Sequence, residues 1–302
     1  MTKTLFLETP ENFNYHETVN SHGWSQLLPF ELDNESLRYT FSQNSLRKRA
    51  GQSLPTNQQP AHAGCSDSFS ATISDADGKL KIETNGGEEV LREVRHILRF
   101  DEDLSEFYKI LKSEKRLAWI AKKSAGRLLR SPTVFEDLVK TICTTNCSWS
   151  LTKIMVKNLV EKLGNRAFPT AEQMASVSAD FYRNEIRAGY RSEYFAELAE
   201  KVASGKVNPE SWLNSDLPTK ELKKEMKSVK GVGDYAAENL LKLVGRYDGL
   251  ALDSFLRGEF YKKHNAEKSC DDKQIRAFYE KFGDWQGLAI WCDMTERYAS
   301  KK

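Results

Sequence analysis

The feature that most constrains this chain is a pair of glycines between two stretches of helical periodicity. Leu222, Met226 and Val229 recur at the spacing of one helix face, and Gly231-Val232-Gly233 then reverses the chain before a second helical stretch. Glycine carries no Cβ, so backbone amides at the start of the second helix can face outward. Such amides bind a phosphate oxygen whatever the base sequence. Residues 218–245 therefore predict a phosphate-binding hairpin or an ordinary turn with glycine caps, and the motif alone leaves both interpretations open.

An aspartate follows this hairpin where a third helix is expected to begin. Asp253 lies eighteen positions after Tyr235 (253 − 235), between the apolar run 250–252 and the helical pattern from Ser254. Aspartate is a frequent N-cap, because its carboxylate accepts the first backbone amides of a helix. The same carboxylate can take part in catalysis without giving up the cap. Residue type and position alone favour the cap.

Composition narrows the class of protein only slightly. With 302 residues the chain can divide into two or three lobes, since single cores stop growing near about 250 to 300 residues. Its 45 Lys and Arg against 43 Asp and Glu give a net charge of +2, which neither requires nor excludes nucleic acid. No apolar run approaches the about 20 residues of a membrane span, and no secretory signal is visible. We therefore expect no membrane contact.

Five scattered cysteines predict reduced thiols. Cys143 and Cys147 could share a helix face, but no histidine or third cysteine stands nearby to complete a zinc set. A clustered four-cysteine pattern, as in iron–sulfur proteins, is also missing from the sequence. Neither a disulfide framework nor an iron–sulfur cluster is expected.

The periodicity of the chain changes near residue 97. Alternating apolar and polar segments broken by Asp-Gly and Gly-Gly predict an antiparallel β domain over 1–97. These segments are 37–41, 68–73 and 79–84. Between them, the polar and basic stretch 47–64 predicts a long exposed loop. Apolar residues three and four apart predict a helical domain over 98–302. Its later helices are expected at 149–163, 178–188, 191–204, 218–229, 234–244, 254–263, 272–282 and 285–298.

Several segments together resemble the helix-hairpin-helix (HhH-GPD) superfamily of DNA glycosylases, and the resemblance covers most of the chain. The hairpin and Asp253 follow the spacing of that family. Ile142-Cys143-Thr144-Thr145-Asn146 and Gly189-Tyr190-Arg191 are similar to segments of 8-oxoguanine glycosylases, whereas 282–291 resembles the last core helix of bacterial 3-methyladenine glycosylases. The group that the chain resembles most is 3-methyladenine DNA glycosylase II. This resemblance implies an α+β fold with an N-terminal antiparallel β domain and a two-lobed helical glycosylase body.

The resemblance implies a monofunctional glycosylase. Such an enzyme flips out a damaged base, here an alkylated purine, and hydrolyses its N-glycosidic bond in base-excision repair, with Asp253 as the catalytic carboxylate. Tyr235 falls where bifunctional members have a Schiff-base lysine, and a phenol cannot form that imine. Monofunctional alkylpurine enzymes have an aromatic residue there, so Tyr235 implies hydrolysis by water and stacking in the base pocket. Trp149 is a second pocket candidate, although its helical spacing with Ile154 and Leu159 favours a core position.

The same resemblance assigns the contacts to DNA. Asn146 would plug the gap left by the flipped nucleotide, with Thr145 as second candidate, and the alternative is a polar helix end without a DNA role. Arg191 would contact the opposite base or a phosphate, and Tyr190 would buttress it. Phosphate contacts are expected from the hairpin residues Gly231, Val232 and Gly233 and from lysines of the cluster Lys223, Lys224, Lys227 and Lys230. A solvated helix face explains these lysines nearly as well.

No cofactor is required by this resemblance, but a structural Na⁺ or K⁺ is compatible with it. In the family, backbone carbonyls of the hairpin bind a monovalent cation, and they correspond here to Lys227, Val229 and Val232. The expected partner is duplex DNA with a damaged or modified base, bound by a monomer in the cytoplasm, at a bacterial nucleoid or in a eukaryotic nucleus. Two alternatives stay open. One is the same chemistry on oxidised guanine or on a bulky modified pyrimidine of foreign DNA, and the other is a non-catalytic hairpin protein that only binds DNA.

Overall fold

The structure is a computed structural model that describes residues 1–42 and 68–299. The loop predicted at 47–64 and Cys65 lie outside these ranges. The described part combines one β-sheet with many helices, which confirms the α+β fold class. Within these ranges no helix has the length and apolar character needed to cross a membrane.

The N-terminal strands form one antiparallel sheet. They are β1 (Lys3–Glu8), β2 (Phe30–Leu32), β3 (Ser36–Ser42), β4 (Ser68–Asp75) and β5 (Lys79–Thr84), in the spatial order β1-β5-β4-β3-β2. The predicted alternation of the last three strands is confirmed, since Leu37, Tyr39 and Phe41 of β3 are buried and the residues between them are not. Asp77 and Gly78 both have positive φ (48° and 84°), which suits the tight turn between β4 and β5.

The sequence analysis did not predict β1 and β2. Only Leu7 of β1 is buried, so that strand shows no apolar alternation, and β2 spans three residues, too few for a period to appear. Both are edge strands that pair with β5 and β3. Pairing rather than a local apolar pattern produces them: β1 pairs with the distant β5, and β2 pairs with β3, the next strand along the chain.

Helices joined by loops and short 3₁₀ segments follow the sheet, apart from one short helix within it. The first are α1 (Tyr15–Val19), α2 (Glu89–Ile97), α3 (Ser105–Leu111), α4 (Ala118–Lys122), α5 (Val134–Thr144), α6 (Trp149–Lys162), α7 (Ala171–Ala175) and α8 (Ala179–Phe181). They are followed by α9 (Ser192–Ala203), α10 (Thr219–Lys227), α11 (Asp234–Leu243), α12 (Ser254–His264), α13 (Asp272–Tyr279) and α14 (Gln286–Ala299). The helices predicted from residue 149 onward are confirmed with ends that differ by a few residues. The helix expected at 178–188 is instead α8 followed by a π-helical turn, Tyr182–Ile186.

The chain divides into two compact units. Unit 1 contains Met1–Thr9, Gly23–Ile97 and Arg130–Asn214, and unit 2 contains Pro10–His22, Leu98–Leu129 and Ser215–Lys302. Each unit therefore combines segments that are far apart along the chain. The division into domains 1–97 and 98–302 stays a prediction, because compactness does not by itself define where a domain begins.

In unit 1 a buried polar network fixes the N-terminal turns of α5. The Tyr39 hydroxyl donates to Glu136 (2.6 Å), whose carboxylate also pairs with Lys140 (2.6 Å), and the Trp24 indole donates to Asp137 (2.7 Å). Burial raises the pKa of both carboxyl groups, so each depends on these partners. Because α5 is held at this end, the position of its C-terminal end, where Thr145 and Asn146 follow, is also determined.

In unit 2 the C-terminal end of α12 is fixed in a comparable way. Asp293 of α14 accepts from the Tyr279 hydroxyl (2.6 Å) and pairs with His264 (2.7 Å) and Lys263 (2.6 Å). Leu256, near the start of the helix, is buried in the apolar core of this unit. A helix anchored at both ends holds its N-cap residue, Asp253, in a defined place.

Candidate active site and nucleic-acid interface

The hairpin has the conformation that the sequence predicts. It connects α10 to α11, and the amide of Val232 donates to the carbonyl of Val229 at 3.0 Å. Gly231 has a φ of +93°, in the left-handed region that favours glycine. Gly233 is the N-cap of α11 but supplies no capping side chain. The first amides of α11 therefore lack the side-chain acceptor that Asp or Ser would give, and they suit an external anion.

Gly233, unlike Gly231, does not have a backbone conformation that favours glycine. Its φ of −87° and ψ of −173° are extended backbone that any residue can adopt. A Cβ built on Gly233 meets nothing within 4 Å among the described residues. Neither conformation nor packing of the described residues thus requires glycine here, whereas close approach of a ligand backbone would.

The lysines beside the hairpin are paired within the protein, which differs from the expectation that they face phosphates. Lys227 and Lys223 each contact Asp234 at 3.0 Å, and Lys223 also contacts Glu238 at 2.7 Å. These contacts lower the pKa of Asp234. Lys230 is exposed at the hairpin itself. Exposed ion pairs are weak, so Lys227 can leave Asp234 and contact a phosphate at little cost in free energy. Its positive charge is nevertheless partly balanced by Asp234.

Asp253 is the N-cap of α12, so the structural interpretation of this residue is confirmed. Its Oδ1 accepts from the backbone amide of Leu256 at 2.7 Å, and the side chain is half-buried. Within the described part of the chain the cap occupies Oδ1 and leaves the second carboxylate oxygen for a substrate. A capped carboxylate is also a fixed one, which is what charge stabilisation in a reaction requires.

Tyr235 is the second residue of α11 and lies half-buried in the same unit as Asp253. The side-chain amide of Asn239 donates to its carbonyl at 2.9 Å. Its phenol offers an aromatic face and a hydroxyl but no amine. This position therefore supports stacking and not covalent attack on a sugar.

Asn146 directly follows α5 and its cap residue Thr145. It is exposed and has a φ of +47°, a conformation in which asparagine is more common than most residues. The hydroxyl of Thr145 donates to the carbonyl of Ile142 at 2.8 Å and so closes the end of the helix. Asn146 is thus the exposed side chain of the two, whereas the Thr145 side chain is hydrogen-bonded to the end of the helix that precedes Asn146.

Tyr190 and Arg191 lie beside the end of α5, and the contacts with DNA expected of them stay predictions. Arg191 is 3% exposed, and its Nε donates to the carbonyl of Ile142 at 3.1 Å and to the Thr145 hydroxyl at 3.3 Å. Tyr190 is 51% exposed, with its ring centroid 4.4 Å from the Arg191 guanidinium. Arg191 therefore contacts both the end of α5 and the ring of Tyr190, and Tyr190 is the more exposed side chain of the two.

Trp149 begins α6 and packs against the turn Gly23–Gln26. Its indole N–H donates to the side chain of Gln26 at 3.0 Å, and a Cβ built on Gly23 would lie 2.6 Å from the ring. The ring is partly exposed. One face is thus occupied by the protein, in line with the core alternative, and a pocket role would have to use the remainder of the ring.

The predicted residues fall into two clusters by unit. Unit 2 contains the hairpin, Tyr235 and Asp253, and unit 1 contains Asn146 together with Thr145, Tyr190 and Arg191, which contact one another. The sequence analysis missed Glu238 and Lys242, which are buried charged residues of α11. The signal available was a charged side chain at apolar positions of a helix.

The carbonyls proposed for a monovalent cation belong to the hairpin itself. The carbonyl of Val229 accepts the amide of Val232, and Lys227 is the last residue of α10, where carbonyls lack partners within the helix. Carbonyl oxygens are ligands for hard cations, and a Na⁺ or K⁺ ion at the hairpin stays a prediction. Among the described residues no group of three His, Cys, Asp or Glu could hold a metal ion.

No family model matches the sequence. The chain is 24% identical over 164 residues to the DNA-3-methyladenine glycosylase of Bacillus subtilis, which covers 51% of this chain and 54% of that protein. It is 25% identical over 156 residues to the N-glycosylase/DNA lyase of Saccharomyces cerevisiae, which covers 46% of this chain and 41% of that protein. The chain thus spans about half, or less, of the length of these curated relatives.

Solved structures match nearly the whole chain. The 3-methyladenine DNA glycosylase of Archaeoglobus fulgidus gives a TM-score of 0.73 at 16% identity, over 99% of this chain and 100% of the other. The 8-oxoguanine glycosylase/lyase of Clostridium acetobutylicum in its apo form gives 0.71 at 19% identity, over 97% of both chains. The chain therefore has the fold of the helix-hairpin-helix DNA glycosylases. Because the two scores are close, the fold does not distinguish glycosylases for alkylated bases from those for oxidised bases.

Proposed function

We propose that this chain is a monofunctional DNA glycosylase that removes an alkylated purine from duplex DNA in base-excision repair. The observation that carries the proposal is a half-buried carboxylate, Asp253, fixed as a helix cap in the same unit as a glycine-containing hairpin and an aromatic residue. The similarity to the B. subtilis DNA-3-methyladenine glycosylase supports the choice of an alkylated base.

In the proposed reaction the bond between base and sugar breaks before water attacks. The sugar then has oxocarbenium character, and the second oxygen of Asp253 stabilises its positive charge or orients the attacking water. An alkylated purine carries a positive charge and leaves without protonation by an acid. One carboxylate is therefore sufficient for this substrate class.

Tyr235 supports hydrolysis over a lyase reaction. A lyase of this family attacks the sugar with an amine, and a phenol cannot form the imine. Tyr235 would instead stack on the flipped base. One relative is named an N-glycosylase/DNA lyase, so the proposed absence of lyase activity needs a direct test, which is borohydride trapping. Borohydride should trap no covalent adduct between protein and DNA, and the product strand should stay intact until alkali is added. Efficient trapping would require an amine nucleophile, with Lys230 examined first.

Contacts with the duplex are proposed for each cluster by itself. Amides at the start of α11, next to Gly233, would bind a phosphate, with Lys227 and Lys230 adding charge. Asn146 and Tyr190 would fill the gap and wedge the stack when the nucleotide rotates out, at a cost of a few kcal/mol that is smallest for damaged pairs. A Na⁺ or K⁺ ion held by the hairpin carbonyls would add positive charge near the phosphate. We further propose that the chain acts as a monomer and requires no other cofactor.

A screen of base release tests this proposal. Purified protein is incubated with duplexes that carry alkylated, oxidised, deaminated or hypermodified bases, and abasic sites are revealed by alkali. The expected result is release of alkylated purine by the wild type and none by Asp253→Asn. If the protein binds duplexes but releases no base, the proposal is wrong and the chain is a hairpin protein that only binds DNA.

Oxidised guanine is the second candidate substrate. The segments 142–146 and 189–191, which are similar to those of 8-oxoguanine glycosylases, favour it. Release of 8-oxoguanine but not of alkylated purine in the same screen would select this candidate.

A further inference from the structure

Two charged residues of α11 lie where its neighbours are apolar. Glu238 and Lys242 are 8% and 2% exposed. Together with Tyr235 they stand at positions i, i+3 and i+7, which places all three on one face of the helix. A buried charge is costly unless it is paired and hydrogen-bonded, so each should have a specific contact.

Both contacts are made with a single peptide unit. Oε2 of Glu238 accepts the backbone amide of Ala251 at 2.5 Å, and Nζ of Lys242 donates to the carbonyl of Leu250 at 3.1 Å. The Leu250 carbonyl and the Ala251 amide belong to the same peptide bond. A carboxylate thus lies at its positive end and an ammonium at its negative end, two residues before Asp253.

This peptide unit lies in a turn that needs outside support. Ala251 has a φ of +53°, a left-handed conformation that is unfavourable for a residue with a Cβ. A Cβ built on Gly249 would lie 2.9 Å from Cγ of Glu238, which shows how closely the turn packs against α11. On its other side, the amide of Gly287 in α14 donates to the carbonyl of Tyr247 at 2.6 Å. The turn is therefore held between two helices.

The buried Nζ of Lys242 is surrounded by acidic, thiol and aromatic groups. The titratable groups facing it are Glu238 on its own helix, Asp253, and the Cys292 thiol of α14, and the Trp291 ring lies 5.6 Å from its Nζ. Arg99 donates to the carbonyl of Lys242, at the back of the helix. Burial lowers the pKa of Lys242 to about 8. The second partner of Glu238 is Lys223, at 2.7 Å.

We propose that Glu238 and Lys242 are positioning residues for Asp253. They hold the Leu250–Ala251 peptide unit at both of its polar groups, and this fixes the turn from which Asp253 enters α12. The carboxylate thereby stays in one place relative to Tyr235, which stands on the same face of α11. The inference rests on the proposed function of Asp253 and goes beyond it, because neither residue touches the substrate.

Four variants test the proposal, each checked first for an unchanged circular dichroism spectrum. Glu238→Ala and Lys242→Met remove one contact each, whereas Glu238→Gln keeps an acceptor oxygen for the Ala251 amide. Lys262→Met is the control, since Lys262 on α12 is 61% exposed. We expect the first two to slow single-turnover base release about 100-fold, the loss that a misplacement of about 1 Å can cause. Duplex affinity should stay within about twofold, because phosphate contacts dominate it.

Glu238→Gln should recover most of the rate, and Lys262→Met should not change it. Full rates in Glu238→Ala and Lys242→Met, or a Gln variant as slow as the Ala variant, would overturn the proposal. If Glu238→Ala does not fold, Glu238→Gln and Lys242→Met still decide it, because the first must be fast and the second slow.

Hydrogen exchange of the Ala251 amide gives a readout that does not depend on activity. Exchange should be faster in Glu238→Ala and Lys242→Met than in the wild type and in Lys262→Met. Unchanged exchange would overturn the inference even if the enzyme is active. If exchange is faster but the wild type releases no base from any lesion, the proposed function fails while the contacts on the peptide unit stand.

Discussion

At the scale of single residues, Asp253 combines a structural and a proposed chemical role. Replacement by asparagine separates them, because an amide caps a helix about as well as a carboxylate but carries no negative charge. We expect Asp253→Asn to abolish base release with the melting temperature and most lesion binding unchanged. Release is measured by alkali cleavage of a lesion duplex, and folding by thermal denaturation.

A matched control exists for this substitution. Asp271 is the N-cap of α13 and accepts the amide of Gln274 at 2.9 Å, in an exposed setting. Asp271→Asn makes the same chemical change at another cap and should leave base release intact. Unfolding of Asp253→Asn, with Asp271→Asn folded, would favour a purely structural role for Asp253.

Asn146 is tested best by a change that keeps its backbone conformation. Alanine at a φ of +47° would add strain, whereas glycine adopts this φ readily. Asn146→Gly should therefore slow base release more on a stably paired lesion than on a mismatched one, since a plug matters most where unstacking is costly. The ratio of single-turnover rates on the two duplexes measures this.

Asn165 provides the control for Asn146, because it also has a φ of +47° and lies in the same unit. Asn165→Gly should leave the ratio of rates unchanged. An equal slowing of both duplexes by Asn146→Gly would mean that Asn146 is not the plug. The buried Arg191 is unsuited to such a test, since its loss removes a buried hydrogen bond from a charged group to the carbonyl of Ile142 and costs about 1.5–3 kcal/mol of stability.

At the scale of elements, one substitution in the hairpin should have opposite effects on the stability of the fold and on the affinity for duplex DNA. Serine at Gly233 adopts the extended backbone, fits the open space beside it, and caps the first amides of α11 with its hydroxyl. Gly233→Ser should therefore raise the melting temperature slightly and weaken the binding of every duplex, because those amides are no longer offered to a phosphate. Affinity is measured at several salt concentrations.

A second glycine separates stability from binding. Gly258 lies within α12 and also has open space for a Cβ, so Gly258→Ala should stabilise the helix by about 1 kcal/mol without changing duplex affinity. Duplex affinity that is unaffected by Gly233→Ser would show that the hairpin amides do not bind DNA. Gly231 is not suitable here, because its φ of +93° makes any side chain strained.

At the scale of the whole molecule, local pattern predicted local structure. The hairpin, the N-cap at Asp253 and the helices from residue 149 follow from periodicity and capping within a few residues of chain. The exposure of Tyr190 and the burial of Arg191 could not be predicted, because Arg191 is held by a carbonyl 49 positions away. The same holds for Glu238 and Lys242. Charged residues are expected at the surface, and these two are buried because they contact the peptide unit of Leu250 and Ala251. Burial of a charged residue depends on a partner that no window of sequence contains.

The stability of the molecule should depend on pH through Lys242. Burial lowers its pKa from an ordinary value of 10.5 to about 8 in the folded chain. Between these two pH values the unfolded chain holds more protons, so the free energy of unfolding should rise with pH across this window. Below about pH 8 both states are charged and the full cost of burial, on the order of 3 kcal/mol, is present.

Other groups titrate in the same range, and Cys292, whose pKa is raised to about 12 by burial, acts in the opposite direction. The comparison is therefore between wild type and Lys242→Met, by urea denaturation at steps from pH 7 to 10. We expect the stability of the wild type to increase relative to the variant from about pH 8 upward, and Lys262→Met to parallel the wild type. A difference between wild type and Lys242→Met that does not change with pH would mean that Lys242 titrates as an exposed lysine, and that the buried contact with Leu250 is not maintained in solution.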